Sequence, residues 1–550
     1  MPDSLQRAKA LVIDANTNAR MLIVSHLKEL GVGTVRAVTK TRDARLALEA
    51  MAFDIVVSDN DFGAAQDSGQ QLLDELRREQ ILPPSTVFIM TTTDRSYAAV
   101  AGAAEAALDV YLIKPYTFAA FAERLHSARR RKQVLKPVFD AMAAGRHHEA
   151  AQMCLARFEA RDECWLHAAR IGAELLLRLK RATEARALYT AIIDAKTVPW
   201  AKLGVACAEY AAGRAERAKQ SLQTLVGEMP DYADGWDVLG RVQMEEGKLD
   251  EALKTYQQAM ALTPTCLLRA QRAGTLAFYA GQRDEALRLL GWAADNGLPS
   301  RLFDFFSLLL IALMHFDAGQ RGPLVEVAAS YEQLLGEHPD SARVQRQHTA
   351  VRALLAVLDG RLPEAAQGVD RLAVVLEQPD ADLEAACLFI ALRQRLNRAG
   401  SVSADTEPRY HRLALRYCVN KASTEVLVTM FEGDDAGVAL VRRAHEEVFR
   451  TAEQALTLSL KRQASDAVRL LVDRGEATRN AKLIDMAGTV LERHAPHIDA
   501  REALEAQVRG LQAAWVWPIN GARSRAAAGQ PVTVPPSTRG PALAPPDAEA

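Results

Sequence analysis

The chain has 550 residues, a formal net charge of −2, 49% hydrophobic residues, 6% aromatic residues and 25% charged residues. At about 100–200 residues per domain it holds several domains or one long repeat array, and its apolar content excludes a wholly disordered chain. The near-neutral balance speaks against a dedicated nucleic-acid binder, which carries a strong basic excess.

Up to about residue 132, short β-branched runs alternate with helical patterns. ALVID (10–14) precedes a helix over 16–30, and VRAV (35–38) precedes one over 41–51. DIVVSD (54–59) is followed by a helix over 69–79, TVFIMT (86–91) by one over 96–107, and DVYLIK (109–114) by one over 117–131. Five strands alternating with five helices predict an α/β unit, a parallel sheet covered on both faces. Chemistry in such a sheet sits beyond the carboxyl ends of the strands. Strand one ends in Asp14, strand three in Asp59, strand four in Thr91, and strand five in Lys114 followed by Pro115. Two carboxylates, a hydroxyl and an ammonium at one edge suit phosphoryl transfer to a carboxylate. Asp59 is the candidate nucleophile, Asp14 a candidate Mg²⁺ ligand, and Lys114 and Thr91 the groups for the phosphoryl oxygens.

On LVID (11–14), DIVVSD (54–59), Gly69, FIMT (88–91) and YLIKP (111–115), residues 8–131 resemble the receiver domain of two-component response regulators. The resemblance implies a flavodoxin-like (βα)5 doubly wound fold with Asp59 as phosphoacceptor and Asp14 as metal ligand. It further implies Thr91 as switch hydroxyl, Tyr111 as switch aromatic, Lys114 as the phosphate-contacting lysine and a cis Lys114–Pro115 peptide bond. A histidine kinase or phosphotransfer protein would supply the phosphoryl group. Phosphorylation would draw Thr91 inward, let Tyr111 rotate, and remodel the surface around the fourth helix, fifth strand and fifth helix. Three positions depart from the family. Ala15 stands where a second acid is usual, which weakens Mg²⁺ binding, and Asp61 is the candidate compensating carboxylate. Thr92 is larger than the usual small residue. The loop over 59–69 lacks the usual proline. A degenerate receiver that keeps the fold without cycling phosphate is the alternative.

From about 133 to 515 the pattern is almost entirely helical. Alanines 150, 185, 218, 252 and 286 recur at intervals of 35, 33, 34 and 34, and turn glycines 145, 213, 247 and 281 share the phase. The unit over 233–266 carries Trp236, Leu239, Gly240, Gly247, Ala252, Tyr256, Ala259 and Pro264. A 34-residue period with these residues resembles the tetratricopeptide repeat, which implies an all-α solenoid whose inner surface binds a peptide or protein. After residue 298 the phase weakens. The 79 residues from Ala286 to Ala365 predict an insertion or irregular unit. Phe305 to Met314 reads as a helix apolar all round, hence buried, and at ten residues it is too short to span a bilayer. The organisation is therefore a receiver at 1–132, tetratricopeptide repeats at 133–298, an irregular helical continuation at 299–515 and a proline-rich tail at 516–550, read as disordered.

Six cysteines (154, 164, 207, 266, 387 and 418) form no C-x-x-C pair, so neither a zinc site nor a disulfide framework is suggested. The first residues contain too short an apolar run for a signal peptide. The basic run 129–132 reads as a solvated helix cap at the domain junction, and His147, His148, His494 and His497 read as surface histidines. No P-loop, G-x-S-x-G elbow or H-E-x-x-H motif is present. The expectation is a cytoplasmic response regulator, not an enzyme beyond the receiver's own phosphotransfer and autodephosphorylation. Phosphorylation of Asp59 would modulate protein binding by the repeat scaffold, with no nucleic acid and no membrane involved. The alternative is a constitutive scaffold on a degenerate receiver.

Overall fold

The computed structural model describes residues 5–62, 81–83, 85–93, 109–195, 199–264, 266–298, 303–379, 381–401, 406–431 and 433–516, together with Gly69, Leu72, Leu73 and Leu76. The helix expected over 96–107, most of that over 69–79 and the tail from 517 on lie outside the described residues. Gly69, Leu72, Leu73 and Leu76 are themselves helical.

The five expected strands form, as β1 (Lys9–Ile13), β2 (Thr34–Val38), β3 (Ile55–Asp59), β4 (Val87–Thr92) and β5 (Val110–Ile113). They make one parallel sheet in the order β2-β1-β3-β4-β5. Because side chains alternate across a strand, Ala10, Val12, Ile55, Val57 and Ile89 pack on one face against Ile23, Leu27, Phe121 and Leu125. These four come from helices Thr17–Glu29 and Phe118–Val134. Leu11, Ile13, Val56, Phe88 and Met90 pack on the other face against Ala44, Ala47, Leu48, Leu72 and Leu76. The sheet is thus doubly wound, and apolar residues at consecutive strand positions are needed because neither face meets water.

Helix Phe118–Val134 passes through Leu135 into helix Lys136–Ala143, the first of the array. The helices then pair as expected: 136–143 with 147–160, 165–178 with 182–195, 199–211 with 215–228, 233–245 with 249–262, and 267–279 with 283–297. The turn within a pair needs a residue with positive φ. Gly145, Gly213, Gly247 and Gly281 supply it at φ 73° to 78°, and Lys180 takes φ 59° where the second pair lacks glycine. Close packing sets the other small residues. A Cβ on Gly240 would lie 2.7 Å from the ring of Tyr256, which is fully buried. His147, expected at the surface, is instead buried where it opens the second helix of the first pair.

The irregular stretch resolves into two more pairs, 306–317 with 321–337 and 342–358 with 362–375. Their turn glycines, Gly319 and Gly360, again have positive φ. The period lengthens because the connection from helix 283–297 to helix 306–317 is longer than its predecessor, and because helices Arg321–Glu337 and Ala342–Leu358 have 17 residues each, against 13–15 in the three preceding pairs. Helix Phe306–Asp317 is buried from Phe306 through Met314. Among the described residues no helix is long and apolar enough to cross a membrane.

Beyond residue 400 the chain turns back on the array. Helix Lys421–Thr429 contacts helices Ala233–Glu245, Leu267–Tyr279 and Leu383–Arg398. The Thr429 hydroxyl donates to the Tyr279 carbonyl (3.2 Å), and Lys421 packs on the Gly247 turn. Arg395 forms a two-pronged ion pair with Asp317 (2.7 and 2.5 Å). The first helices of these units are consequently buried on nearly all sides, and one apolar core runs from Met244 to Ala444. The inner surface expected to be free is therefore occupied by the chain itself at helices 233–245, 267–279 and 383–398. A last group, helices Asp435–Leu460, Ala464–Thr478, Ala481–His494 and Arg501–Trp515, encloses its own core.

Buried arginines tie successive units together. Arg269 meets Asp237 (3.1 and 3.0 Å) and Asp234 (3.2 Å) of the preceding unit. Arg343, 2% exposed, meets Glu384 (3.0 and 2.9 Å) of the following unit and Asp304 (2.7 Å). Gln347 donates to the same Glu384 carboxylate (2.6 Å). Truncating one side of such a pair leaves a buried charge uncompensated, which costs about 3–5 kcal/mol. Arg343→Ala is expected to lower the unfolding free energy of the array by that amount, and Arg343→Ala/Glu384→Leu to recover much of it, both read from urea titrations followed by circular dichroism.

Candidate functional site

The parallel register places Asp14, Asp59, Thr91 and Lys114 at one edge of the sheet. Asp59 sits opposite Thr91 across β3 and β4, and Lys114 follows β5, its backbone N–H donating to the Thr92 carbonyl (2.7 Å). The Lys114–Pro115 bond is cis, as the resemblance implied. The Lys114 ammonium stands between the two carboxylates, 3.1 Å from Asp14 Oδ2 and 3.0 Å from Asp59 Oδ2.

Backbone amides hold the other carboxylate oxygens. Asn16 N–H donates to Asp14 Oδ1 (2.8 Å), and Asn60 N–H donates to Asp59 Oδ1 (2.9 Å). Asn16 has a second task, since its side chain accepts from Ala19 N–H and caps helix Thr17–Glu29. Arg20 on that helix donates to the Asp14 carbonyl (2.8 Å) and so fixes the loop from below. Gly69 faces the Asp59 backbone. A Cβ there would come within 2.0 Å of the Asp59 carbonyl oxygen, so only glycine lets the segment approach this closely.

Asp14 and Thr91 are fully buried. The Thr91 hydroxyl points to the Ser58 carbonyl at 3.5 Å, too long for a firm hydrogen bond, so little holds it there. Tyr111 is half-buried and packs against the cluster that contains Phe88 and Met90. Burial pushes the Asp59 carboxyl above the ordinary carboxylate range; the Lys114 ammonium opposes this, and the neighbouring Asp14 charge adds to it. Tyr116, which the sequence reading passed over, belongs to the same surroundings. Burial, then Asp14 and Asp59, push its phenol up to about 12, and its ring stacks on Phe121 (6.0 Å). Its signal in the sequence was its place directly after Lys114–Pro115.

Asp61 is exposed beyond the end of β3, and Ala15 is exposed and offers no ligand. Among the described residues no three His, Cys, Asp or Glu side chains gather where they could hold a metal ion, so Asp61 does not complete a set with Asp14 and Asp59. The two buried carboxylates are oxygen donors of the kind a hard divalent cation takes, and one ammonium is their sole cationic partner among the described contacts. That donor set fits Mg²⁺ in type, with one carboxylate fewer than the resemblance implied.

A buried and a largely buried aspartate, bridged by one lysine, thus stand at the carboxyl edge of a doubly wound sheet. Residues 10–126 match the response regulator receiver domain family, and residues 209–273 match the tetratricopeptide repeat family. The chain joins a receiver domain to a tetratricopeptide-repeat array. The chemotaxis protein CheY-3 of Vibrio cholerae serotype O1 is 28% identical over 117 residues, 21% of this chain and 88% of that protein. A tetratricopeptide repeat-containing protein of Pseudomonas aeruginosa is 39% identical over 54 residues, 10% of this chain and 51% of that protein. Among solved structures, the beryllofluoride-activated receiver domain of DrrB is 23% identical with a TM-score of 0.20, covering 22% of this chain and 96% of that one. A tetratricopeptide repeat protein from Parabacteroides merdae is 16% identical with a TM-score of 0.30, covering 44% of this chain and 91% of that one.

The raised Asp59 pKa carries a sign. The folded state holds that proton more tightly than the unfolded state, so stability is greatest below the unfolded pKa and declines as pH rises through the folded one. Asp59→Asn is therefore expected to raise the receiver's thermal midpoint at about pH 7, and the advantage to vanish as pH falls below about 3.9. Melting curves of the full chain and the variant at both pH values check this.

Proposed function

We propose that the chain is a response regulator in which Asp59 accepts a phosphoryl group from a phosphohistidine of a histidine kinase or phosphotransfer protein. The observation that carries this reading is the Lys114 ammonium within 3.1 Å of both Asp14 and Asp59. An Asp59 carboxylate oxygen attacks phosphorus, the P–N bond breaks, and the departing imidazole keeps the electron pair. The product is an acyl phosphate on Asp59. Lys114 then faces a phosphoryl oxygen and offsets its charge, and the loosely held Thr91 hydroxyl swings from the Ser58 carbonyl to another. Tyr111, half-buried on the adjacent strand, follows into the space vacated. Mg²⁺, held by Asp14 and Asp59, would neutralise charge on the transferred group. Hydrolysis of the acyl phosphate by water resets the site, and no other enzymatic activity is proposed.

The output is protein binding by the repeats. With the inner surface at helices 233–245, 267–279 and 383–398 occupied by the chain, the partner is assigned to the inner face of the units nearer the receiver. A cavity at the border of the two regions is lined by Arg170, Glu174, Leu177, Trp200 and Leu203 of those units and by Asp234 at the edge of the occupied stretch. The second reading, a scaffold whose receiver no longer cycles phosphate, is favoured by Ala15, which offers no ligand where the resemblance implies a second acid.

Incubation of the full chain with a small-molecule phosphodonor and Mg²⁺ separates the two. The regulator reading expects one acid-stable, base-labile phosphoryl group by intact mass. Asp59→Ala should abolish it, and Lys114→Ala should slow its formation roughly 10²-fold. A folded receiver that takes up no phosphoryl group at any Mg²⁺ concentration leaves the scaffold reading standing.

A further inference from the structure

The basic run at the end of helix Phe118–Val134 was expected to be a solvated cap, and two of its side chains are not. Lys132, with its side chain 15% exposed, pairs with Asp109 Oδ1 at 2.9 Å. The other oxygen of Asp109, Oδ2, accepts from the Phe88 backbone N–H (2.9 Å). Arg131 donates to the Asp109 carbonyl (3.1 Å) with one arm and to His167 Nε2 (3.2 Å) with another. Arg130 holds both oxygens of Glu163, and Arg157 donates to the Glu163 carbonyl (3.0 Å). Asp109 immediately precedes β5 and Phe88 lies near the start of β4. Glu163 and His167 flank the start of helix Trp165–Arg178, the first helix of the second pair. The run therefore grips the receiver's sheet on one side and the repeat array on the other.

The bond between the two sides is also apolar. Leu135, 2% exposed, sits in one core with Val138, Phe139, Met142, Cys154 and Leu175. Lys132 lies over the Phe139 ring (5.5 Å), so the residue that holds Asp109 also touches the first repeat. The strands held at this end, β4 and β5, are the two that carry Thr91, Tyr111 and Lys114 toward the other end.

We propose that Asp109 and the run Arg130–Lys132 form a coupling clamp that passes displacement of β4 and β5 to the first two helix pairs of the array. Each of these charges is bound to a partner whose position the sheet or the repeats fix. Coupling between sites needs a contiguous element that both sides bias, and the clamp is such an element: the Lys132–Asp109 pair spans the strand and the helix that leaves the domain, and Arg131 spans strand and repeat. In the regulator reading, on which this half of the inference rests, movement of Tyr111 and Lys114 on phosphorylation reaches residues 147–178 through this contact.

Amide hydrogen exchange on the full chain tests it in two arms. In the resting protein, Lys132→Ala and Arg131→Ala are each expected to speed exchange at 110–113 and at 165–172 together, by about fivefold or more, while 267–297 stays unchanged as the folding control. Lys132→Arg should keep native exchange. A response confined to one side of the junction overturns the clamp, whether or not Asp59 is phosphorylated. In the second arm, beryllofluoride with Mg²⁺ should alter exchange at 110–113 and 147–178 in the native chain, and at 110–113 alone in Arg131→Ala. A change at 110–113 with none at 147–178 in the native chain also overturns the clamp. No change at either place in the native chain counts against the phosphoacceptor reading of Asp59, and the resting arm still decides the junction.

Discussion

One ammonium serving two carboxylates is the constraint on which the receiver's site depends. Asp14 is fully buried and Asp59 largely so, and Lys114 is within 3.1 Å of both. Isolated buried charges are expensive, so the arrangement survives only because backbone amides at Asn16 and Asn60 take the remaining oxygens. The balance is incomplete, as the raised Asp59 pKa records. A site left slightly short of positive charge offers its oxygens to a further cation.

The helical part solves a different problem. A repeat buries its apolar face only against its neighbours, and an array ordinarily leaves its inner surface to solvent or to a partner. Here the later units lengthen and helix Lys421–Thr429 lies against the inner helices, so the C-terminal part behaves as one closed core from Met244 to Ala444. Buried arginines such as Arg269 and Arg343 replace part of the apolar packing between units. Charge pairs in that position are weak contributors to stability but costly to break, which favours a fixed stacking register over a flexible one.

Much of this was legible in the sequence, for identifiable reasons. Strand ends could be read because each β-branched run stops at its polar residue, which put Asp14, Asp59, Thr91 and Lys114 at one edge. The 34-residue phase could be read because glycine is the residue that most readily takes the positive φ of each turn. Tyr116 was missed because its importance comes from distance to two carboxylates, not from any pattern. The solvated reading of the basic run suits exposed Arg130 but not Lys132, because the partner that draws Lys132 in, Asp109, lies 23 residues away. The closure of the inner surface was invisible for the same reason: Thr429 meets Tyr279 across 150 residues. Local patterns announce elements, and long-range contacts are announced by nothing nearby.

The single residue Leu135 between helix Phe118–Val134 and helix Lys136–Ala143 bears on how such a chain can evolve and signal. Modules joined by a flexible linker communicate by local concentration, and their relative orientation carries no information. Here there is no slack to average over, so the direction in which the array leaves the receiver is a property of the fold. An angular change at that joint grows into a translation with distance along the array, and the outermost units travel farthest. Insertion of even one residue at the joint would change the direction in which the array leaves the receiver and pull apart the Arg130–Glu163 and Arg131–His167 contacts across it.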